Sequence, residues 1–529
     1  MDISFFTRQS FGSIARFDPR GPALGMEDQP ALTYAEVACR SRSYANALLD
    51  LGVRPGDRVA ILLFNSTEYW LAYFAITRIG AIAARLNFRL GPDELEFALC
   101  DSDACVLLAD AALLGVLEDR RERLPVRHYV AAGDRDPPSW ALPWTRLESA
   151  PHAEPPVPLP DADAPAMLMY TSGTTGRPKG ALWSHGTTTW WTAMQVMEWG
   201  LTADSVTMVT GPLYHIGGLE NYALPTLAVG GRVVLLRSRD FDLGRTLQIA
   251  SRERVTDLLL FPTMISQWLQ SPELHDIDLS SVTRIFTGGD PLLPWAVSAM
   301  RERFGWMDLV QVYGLTEGTP IAACGAPGAA FEDPAIVGRA FPFTEVAIRD
   351  PEGQDLPDGQ RGEIWIRSPA VALGYWRRPE ATAEVFVDGW CRSGDLGVAE
   401  HGGLRITGRE KDMIRSGGEN IYPAEVEDAL LRHPKIADAA VIGVSDPVYI
   451  ETVCAVVVLR PGERMTEQEV ITACAQRLAG FKKPRRVEFV DELPRTASQK
   501  VMKYLLRESF GAPTATLASE SGRQEAGSA

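Results

Sequence analysis

The residues with the densest chemical potential are Tyr170-Thr171-Ser172-Gly173-Thr174-Thr175-Gly176-Arg177-Pro178-Lys179-Gly180. Four aliphatic hydroxyls, three glycines and two cations fall within these eleven positions, which is what an anion-binding turn needs. Glycine lets backbone N–H groups approach an anion closely, hydroxyls add donors, and Lys or Arg supplies charge. The apolar run Ala166–Met169 ahead of it reads as a strand. A loop of this kind at a strand end suits a polyphosphate better than it suits a mobile Gly/Ser/Thr linker. It is not a GxxxxGK[ST] loop, because Pro178-Lys179-Gly180 stands where that motif would open a helix.

Other segments are weaker when taken singly. Tyr313-Gly314-Leu315-Thr316-Glu317 places an aromatic, a glycine, a hydroxyl and an acid in five residues, and alone reads as a turn with a capping Thr. Asp395, after Ser393-Gly394, alone reads as a turn residue bonding its own backbone. Lys500, in Pro494-Arg495-Thr496-Ala497-Ser498-Gln499-Lys500, alone reads as a solvated surface lysine.

Taken in order, these segments resemble the motifs of the adenylate-forming (AMP-binding) superfamily, which includes acyl- and aryl-CoA synthetases and peptide-synthetase adenylation domains. Gly362-Glu363-Ile364, Gly374-Tyr375, Ser393-Gly394-Asp395-Leu396, Gly408-Arg409 and Tyr422-Pro423-Ala424-Glu425-Val426-Glu427 extend the likeness over nearly the whole chain. The resemblance implies an ATP-dependent acid–CoA ligase of the AMP-forming type. A fatty, aryl or alicyclic acid would become an acyl-adenylate with release of pyrophosphate, then a CoA thioester. Transfer to a separate carrier protein and a catalytically dead nucleotide-binding relative are the alternatives.

The same resemblance assigns roles. Thr171, Ser172, Gly173, Thr174, Thr175, Gly176 and Lys179 would hold the phosphates of ATP. Tyr313 and Gly314 would lie against adenine, Thr316 on a phosphate, and Glu317 on Mg2+, a hard cation that takes carboxylate oxygens together with phosphates. Asp395 and Arg409 would hold the ribose, since an ionised carboxylate accepts from a vicinal diol. Lys500 would be the catalytic cation, although Gln499 departs from the glycine common beside it. Lys411 falls at the family's hinge, about which the small domain rotates between half-reactions, and Gly417-Gly418 would flank the pantetheine of coenzyme A.

His215, Ile216 and Gly217 would border the acyl pocket. Thr287, Gly288 and Gly289 would lie beside it and the adenine. Asp290 either bonds the adenine amino group or caps the next segment. The pocket segment carries no acid before Glu220, which argues against an amino-acid substrate, because a buried ammonium needs a partner. Trp183, Trp190 and Trp191 read as packing residues rather than pocket walls. The basic run Lys482-Lys483-Pro484-Arg485-Arg486 reads as a solvated face that could also meet CoA phosphates.

Positioning such residues requires sheets covered by helices. Val59–Phe64 precedes a helical stretch Tyr69–Gly80, Val233–Leu236 precedes Leu243–Glu253, and Asp257–Phe261 precedes Met264–Gln270, an alternation that predicts an α/β fold. Residues 1–409 form the expected large multi-layer domain, with Pro151–Pro160 as a surface connector inside it. Residues 410–411 form the hinge and 412–511 a small mobile α+β domain. There a helix should start at Pro423, strands at Ala439–Val444, Val453–Leu459 and Arg486–Val490, and a helix at Thr466–Leu478. Residues 512–529 read as a disordered tail.

The 529 residues are 46% hydrophobic and 23% charged, with a net charge of −16, which disfavours a nucleic-acid surface. Seven scattered cysteines with no CxxC pair disfavour a disulfide framework or zinc site. Asn65, Glu68 and Arg78 interrupt the longest apolar stretch, and no secretory leader is apparent, so a cytoplasmic enzyme without an integral membrane span is expected. A homodimer is left open.

Overall fold

The apolar runs too short for helices become the centres of three sheets in a computed structural model. It describes residues 21–511 apart from 172–177, 240, 290–291, 293, 410–411, 417–418, 447–448, 476 and 496–500. The chain divides into two compact units, with a boundary between Thr407 and Gly408.

In the first unit, an eight-stranded sheet has a parallel centre in which Arg58–Leu62 lies between Ile82–Arg85 and Ala104–Asp110. Val59 and Ile61 enter one hydrophobic cluster while Ala60 and Leu62 enter another. Both faces of the strand are therefore covered, which is why this run is continuously apolar rather than alternating. The helix Thr67–Arg78 that follows is buried along most of its length, and Ser66 caps it by accepting from the Tyr69 amide at 3.2 Å. The Arg78 that interrupts the apolar stretch is itself buried and paired with Glu154. Among the described residues no helix is long and apolar enough to cross a membrane.

At one end of this sheet Pro165–Thr171 runs antiparallel to Lys179–Ser184, with Thr171 opposite Lys179. Gly374–Tyr375 adds beyond Lys179–Ser184 as the outermost strand. Thr171 and Lys179 are thus paired at the end of a hairpin's two arms, and the segment 172–177 between them lies outside the described residues.

A fourteen-stranded sheet occupies the rest of the unit. Its strands Val206–Val209, Asp257–Leu259, Arg284–Gly288 and Asp308–Leu315 are successively parallel, and Thr319–Cys324 then returns antiparallel. Thr287, Gly288 and Tyr313 lie at or near the carboxyl ends of their strands, where ligands gather in parallel sheets.

Asp395 lies within the strand Trp390–Glu400 rather than in the free turn that Ser393-Gly394 alone would suggest. Pairing with Arg361–Arg367 slips between Glu363 and Trp365, Gly394 has φ +68°, and its amide donates to Glu363 Oε1 at 3.2 Å. The flexible pair therefore makes a bulge that re-aims the carboxylate without ending the strand.

The second unit carries a five-stranded sheet dominated by the antiparallel pair Ile436–Asp446 and Ile450–Leu459. Val441, Val453 and Ala455 face one cluster, and Ala440, Ile442 and Cys454 the other. Helices Pro423–Leu431, Glu467–Ala475 and Lys503–Phe510 accompany the sheet, and the first of them has proline in its opening turn. Arg486–Phe489 pairs parallel to Ile450–Leu459. The seven cysteines are free. Lys411, Gly417, Gly418, Gln499, Lys500 and the tail 512–529 lie outside the described residues.

Candidate active site

The hairpin arms deliver Thr171 and Lys179, while Ser172, Gly173, Thr174, Thr175 and Gly176 lie outside the described residues. The base of the hairpin is pinned from below. The Tyr170 hydroxyl donates to Asp101 Oδ2 at 2.9 Å, and Asp101 in turn pairs with Arg378. Burial, with Asp101 adding to it, pushes the Tyr170 hydroxyl well above its usual range and keeps its proton in place.

Thr316 and Glu317 occupy the tight turn between Asp308–Leu315 and Thr319–Cys324. A Cβ at Gly314 would sit 2.4 Å from the carbonyl oxygens of Thr319 and Pro320, so only glycine lets these strands close here. The turn is fastened from two sides: Trp183 Nε1 donates to the Thr316 carbonyl at 3.0 Å, and the Ala372 amide to the Glu317 carbonyl at 2.9 Å.

The Glu317 side chain, 9% exposed, reaches the hairpin. Thr171 Oγ1 donates to its Oε1 at 2.8 Å and the Tyr375 hydroxyl donates to the same oxygen at 3.1 Å. Lys179 Nζ lies 5.1 Å from the centre of the Tyr375 ring, within cation–π range. Burial, and then the Glu317 charge, push the Tyr375 hydroxyl far up, so it stays a donor.

A second pair forms close by in sequence. The Tyr313 hydroxyl donates to Asp395 Oδ2 at 2.9 Å, and Asp395 is only 6% exposed. The structure thus joins Thr171 to Glu317 and Tyr313 to Asp395, four positions drawn from three separate motifs. Arg409 is exposed at the end of Gly403–Arg409 and belongs to the second unit.

The acid-side segments are built differently. Thr287 is fully buried at the end of Arg284–Gly288, and its hydroxyl has no partner among the described residues. A Cβ at Gly288 would meet the Val312 carbonyl at 2.5 Å, and Gly289 adopts φ +92°, while Asp290 lies outside the described residues. His215 caps the short helix Ile216–Leu219, its Nδ1 accepting from the Gly217 amide at 3.1 Å.

Beneath that helix, Arg85 and Glu220 form a fully buried ion pair. Arg85 also donates to the carbonyls of Leu213 and of His215, the latter at 3.1 Å. Burial pushes the Glu220 carboxyl up while Arg85 pulls it down. Arg85 was missed in the sequence. The signal was a lone arginine ending the otherwise apolar strand Ile82–Arg85, a charge that burial tolerates only with a partner. Trp183 and Trp191 are buried, as packing residues would be, whereas Trp190 is exposed and lies against the exposed Phe343. In the basic run, Lys482 pairs with Glu425, and Arg486 with Glu488 at 2.6 Å.

Mg2+ fits this donor set. No group of three or more His, Cys, Asp or Glu able to hold a metal occurs among the described residues, so a protein-only cage is absent there. Mg2+ instead takes one or two carboxylates plus substrate phosphates. Both side-chain hydrogen bonds to Glu317 fall on Oε1, and none among the described residues falls on Oε2.

The model of AMP-binding enzymes matches residues 13–376, and that of the AMP-binding enzyme C-terminal domain matches residues 425–500. The chain belongs to this family. A feruloyl-CoA synthase of Amycolatopsis sp is 40% identical over 502 residues, covering 94% of this chain and 97% of the relative. An indoleacetate–CoA ligase of Aromatoleum aromaticum is 38% identical over 478 residues, covering 90% and 93%. The crystal structure of an anthranilate CoA ligase in complex with anthranoyl-AMP superposes with a TM-score of 0.85 at 29% identity, covering 94% of this chain and 96% of that one. The chain is an AMP-forming acid–CoA ligase, with a carboxylic acid, ATP and CoA as its substrates.

Proposed function

We propose that this ligase activates an aryl or aryl-substituted carboxylic acid. The observation that carries the site assignment is the pair of contacts at Glu317, which ties the phosphate hairpin to the turn after Asp308–Leu315. The aromatic reading is supported by the surroundings of the acid-side segments. Tyr214, adjoining His215, is half-buried and packs edge-on to the half-buried Phe88 at 5.4 Å. The relatives named for feruloyl and indoleacetate substrates point the same way. Glu220 is already paired with Arg85, so it is no partner for a substrate ammonium, and an amino acid fits poorly.

In the first half-reaction an oxygen of the substrate carboxylate attacks the α-phosphorus of ATP, and the bond to the bridging oxygen of pyrophosphate breaks. Thr171, Ser172, Gly173, Thr174, Thr175, Gly176 and Lys179 hold the departing phosphates. Thr316 donates to a phosphate, and Tyr313 and Gly314 bound the adenine. Asp395 accepts from the ribose hydroxyls, aided by Arg409. Glu317 is the ligand for Mg2+, which supplies charge neutralisation on the phosphate oxygens when bound.

Lys500 stabilises the charge that develops as two anions are forced together. His215, Ile216, Gly217, Thr287 and Gly288 border the acid, Gly289 lies beside it and the base, and Asp290 either bonds the adenine amino group or caps the next segment. In the second half-reaction the CoA sulfur attacks the acyl carbonyl and AMP leaves, with Gly417 and Gly418 beside the pantetheine. The large unit up to Thr407 acts as the adenylation domain, Lys411 as the hinge, and the small unit as the domain that exchanges between half-reactions.

Pyrophosphate release across a panel of cinnamic, indoleacetic, benzoic, alicyclic and medium-chain fatty acids, with and without CoA, tests the substrate class. The highest kcat/KM should fall among the arenes. A fatty-acid optimum would overturn the aromatic reading.

A further inference from the structure

The edge strand at Gly374–Tyr375 does more than extend the sheet. Tyr375 pairs with Ala181, the Trp376 amide donates to the Gly180 carbonyl at 2.8 Å, and the Leu373 amide to the Leu182 carbonyl at 2.8 Å. The Tyr375 amide is held by Thr382 Oγ1 at 2.9 Å. Gly374 is at φ +137°, where a Cβ would meet Thr382 Cγ2 at 2.6 Å, so the chain is locked just before the tyrosine. The backbone of Tyr375 is therefore clamped to the phosphate hairpin, and its side chain spans from that edge to Glu317. Along the way the ring lies near Lys179 Nζ, and the hydroxyl ends 3.1 Å from Glu317 Oε1.

Two different features of one side chain are in use. The hydroxyl is a neutral donor: it fixes the rotation of the carboxylate without cancelling its charge. Together with Thr171 it occupies Oε1, so the charge is presented through Oε2. The ring face is a weak site for an ammonium, strong enough to hold Lys179 and weak enough to yield to a triphosphate. Phenylalanine would keep the second feature and lose the first, and leucine would lose both.

We propose that Tyr375 is a positioning residue that sets the site's affinity for Mg2+ through Glu317 and holds Lys179 against its ring until ATP arrives. This rests on the reading above in which Glu317 meets the metal and Lys179 the phosphates.

The test is equilibrium ATP binding by calorimetry, once in EDTA and once across a Mg2+ series, for the wild type, Tyr375→Phe, Tyr375→Leu and Glu317→Gln. Loss of a hydrogen bond to a charged group predicts that Tyr375→Phe needs about tenfold more Mg2+ for half-maximal tightening of ATP, with its affinity in EDTA unchanged. Tyr375→Leu should show the same Mg2+ shift and also bind ATP a few-fold more tightly in EDTA, because Lys179 no longer has a ring to leave. Thermal unfolding of each variant checks the fold. A Tyr375→Phe protein that loses ATP affinity equally with and without Mg2+, or keeps the wild-type Mg2+ response, overturns the proposal. If Glu317→Gln also keeps the wild-type response, the failure lies in the assignment of Glu317 itself. If Glu317→Gln abolishes the response and Tyr375→Phe leaves it intact, only the role of Tyr375 falls.

Discussion

Glu317 and Glu220 are both carboxylates removed from solvent in the same unit, and their partners could hardly differ more. Glu220 is fully buried against the guanidinium of Arg85, which also holds two carbonyls of the segment leading into Ile216–Leu219. Glu317 keeps a small exposed surface and, among the described residues, is held by the hydroxyls of Thr171 and Tyr375. A cation cancels a carboxylate's charge and makes it architecture. Neutral donors orient the charge and leave it available. The partner of a buried acid, more than its burial, separates a structural carboxylate from one poised for a ligand.

The contrast predicts opposite phenotypes. Glu220→Gln leaves a buried guanidinium without its counter-charge, which should cost about 3–5 kcal/mol of stability. The first unfolding transition in urea reads this directly. Arg85→Met combined with Glu220→Leu should recover part of the loss, because an apolar pair of similar volume carries no unpaired charge, while the Leu213 and His215 carbonyls still lose the Arg85 donor. Glu317→Gln should do the reverse. Stability should change by less than about 1 kcal/mol, while pyrophosphate release falls by about 10²–10³-fold, the usual scale for losing one preorganised electrostatic group. If both substitutions act chiefly on stability, the distinction between the two acids collapses.

Lys500 extends the comparison to a charge far along the chain. Lys500→Ala should slow adenylation by about 10²–10³-fold, on the same reasoning of one positioned donor lost. Thioester formation from preformed acyl-adenylate and CoA should be much less affected. Rapid-quench measurement of the two half-reactions separates them, and equal losses would contradict a lysine that serves only the first.

These residues were unequally visible in the sequence. The phosphate loop could be read from its own glycines, hydroxyls and cations, whereas the Tyr313–Glu317 turn and Asp395, ordinary turns when taken singly, became legible only through the ordered resemblance to the family. Helix and strand positions followed from periodicity, and the helix at Pro423 starts where proline tolerates a missing donor. Arg85 escaped notice because its partner lies 135 residues away, and pairing over that distance leaves no local pattern. The Tyr375–Glu317 bond escaped for the same reason, although both residues were noticed singly. The bulge at Gly394 was hidden too. Ser-Gly signals a turn, and only the cross-strand slip opposite Glu363–Trp365 reveals that the strand continues.

The smallest expected effect isolates the neutral-donor idea most cleanly. Thr171→Val keeps the shape and β-branching that suit the end of Pro165–Thr171, and removes only the donor 2.8 Å from Glu317. One such hydrogen bond is worth about 1–1.5 kcal/mol, so kcat/KM for ATP should fall roughly five- to tenfold with little change for the acid. Because Tyr375 donates to the same oxygen, the effects of Thr171→Val and Tyr375→Phe should not add. With either hydroxyl gone the carboxylate is already free to rotate, so the second loss should cost less than the first. Strict additivity in that double-mutant cycle would mean that the two hydroxyls act independently, and that Glu317 is not oriented by them jointly.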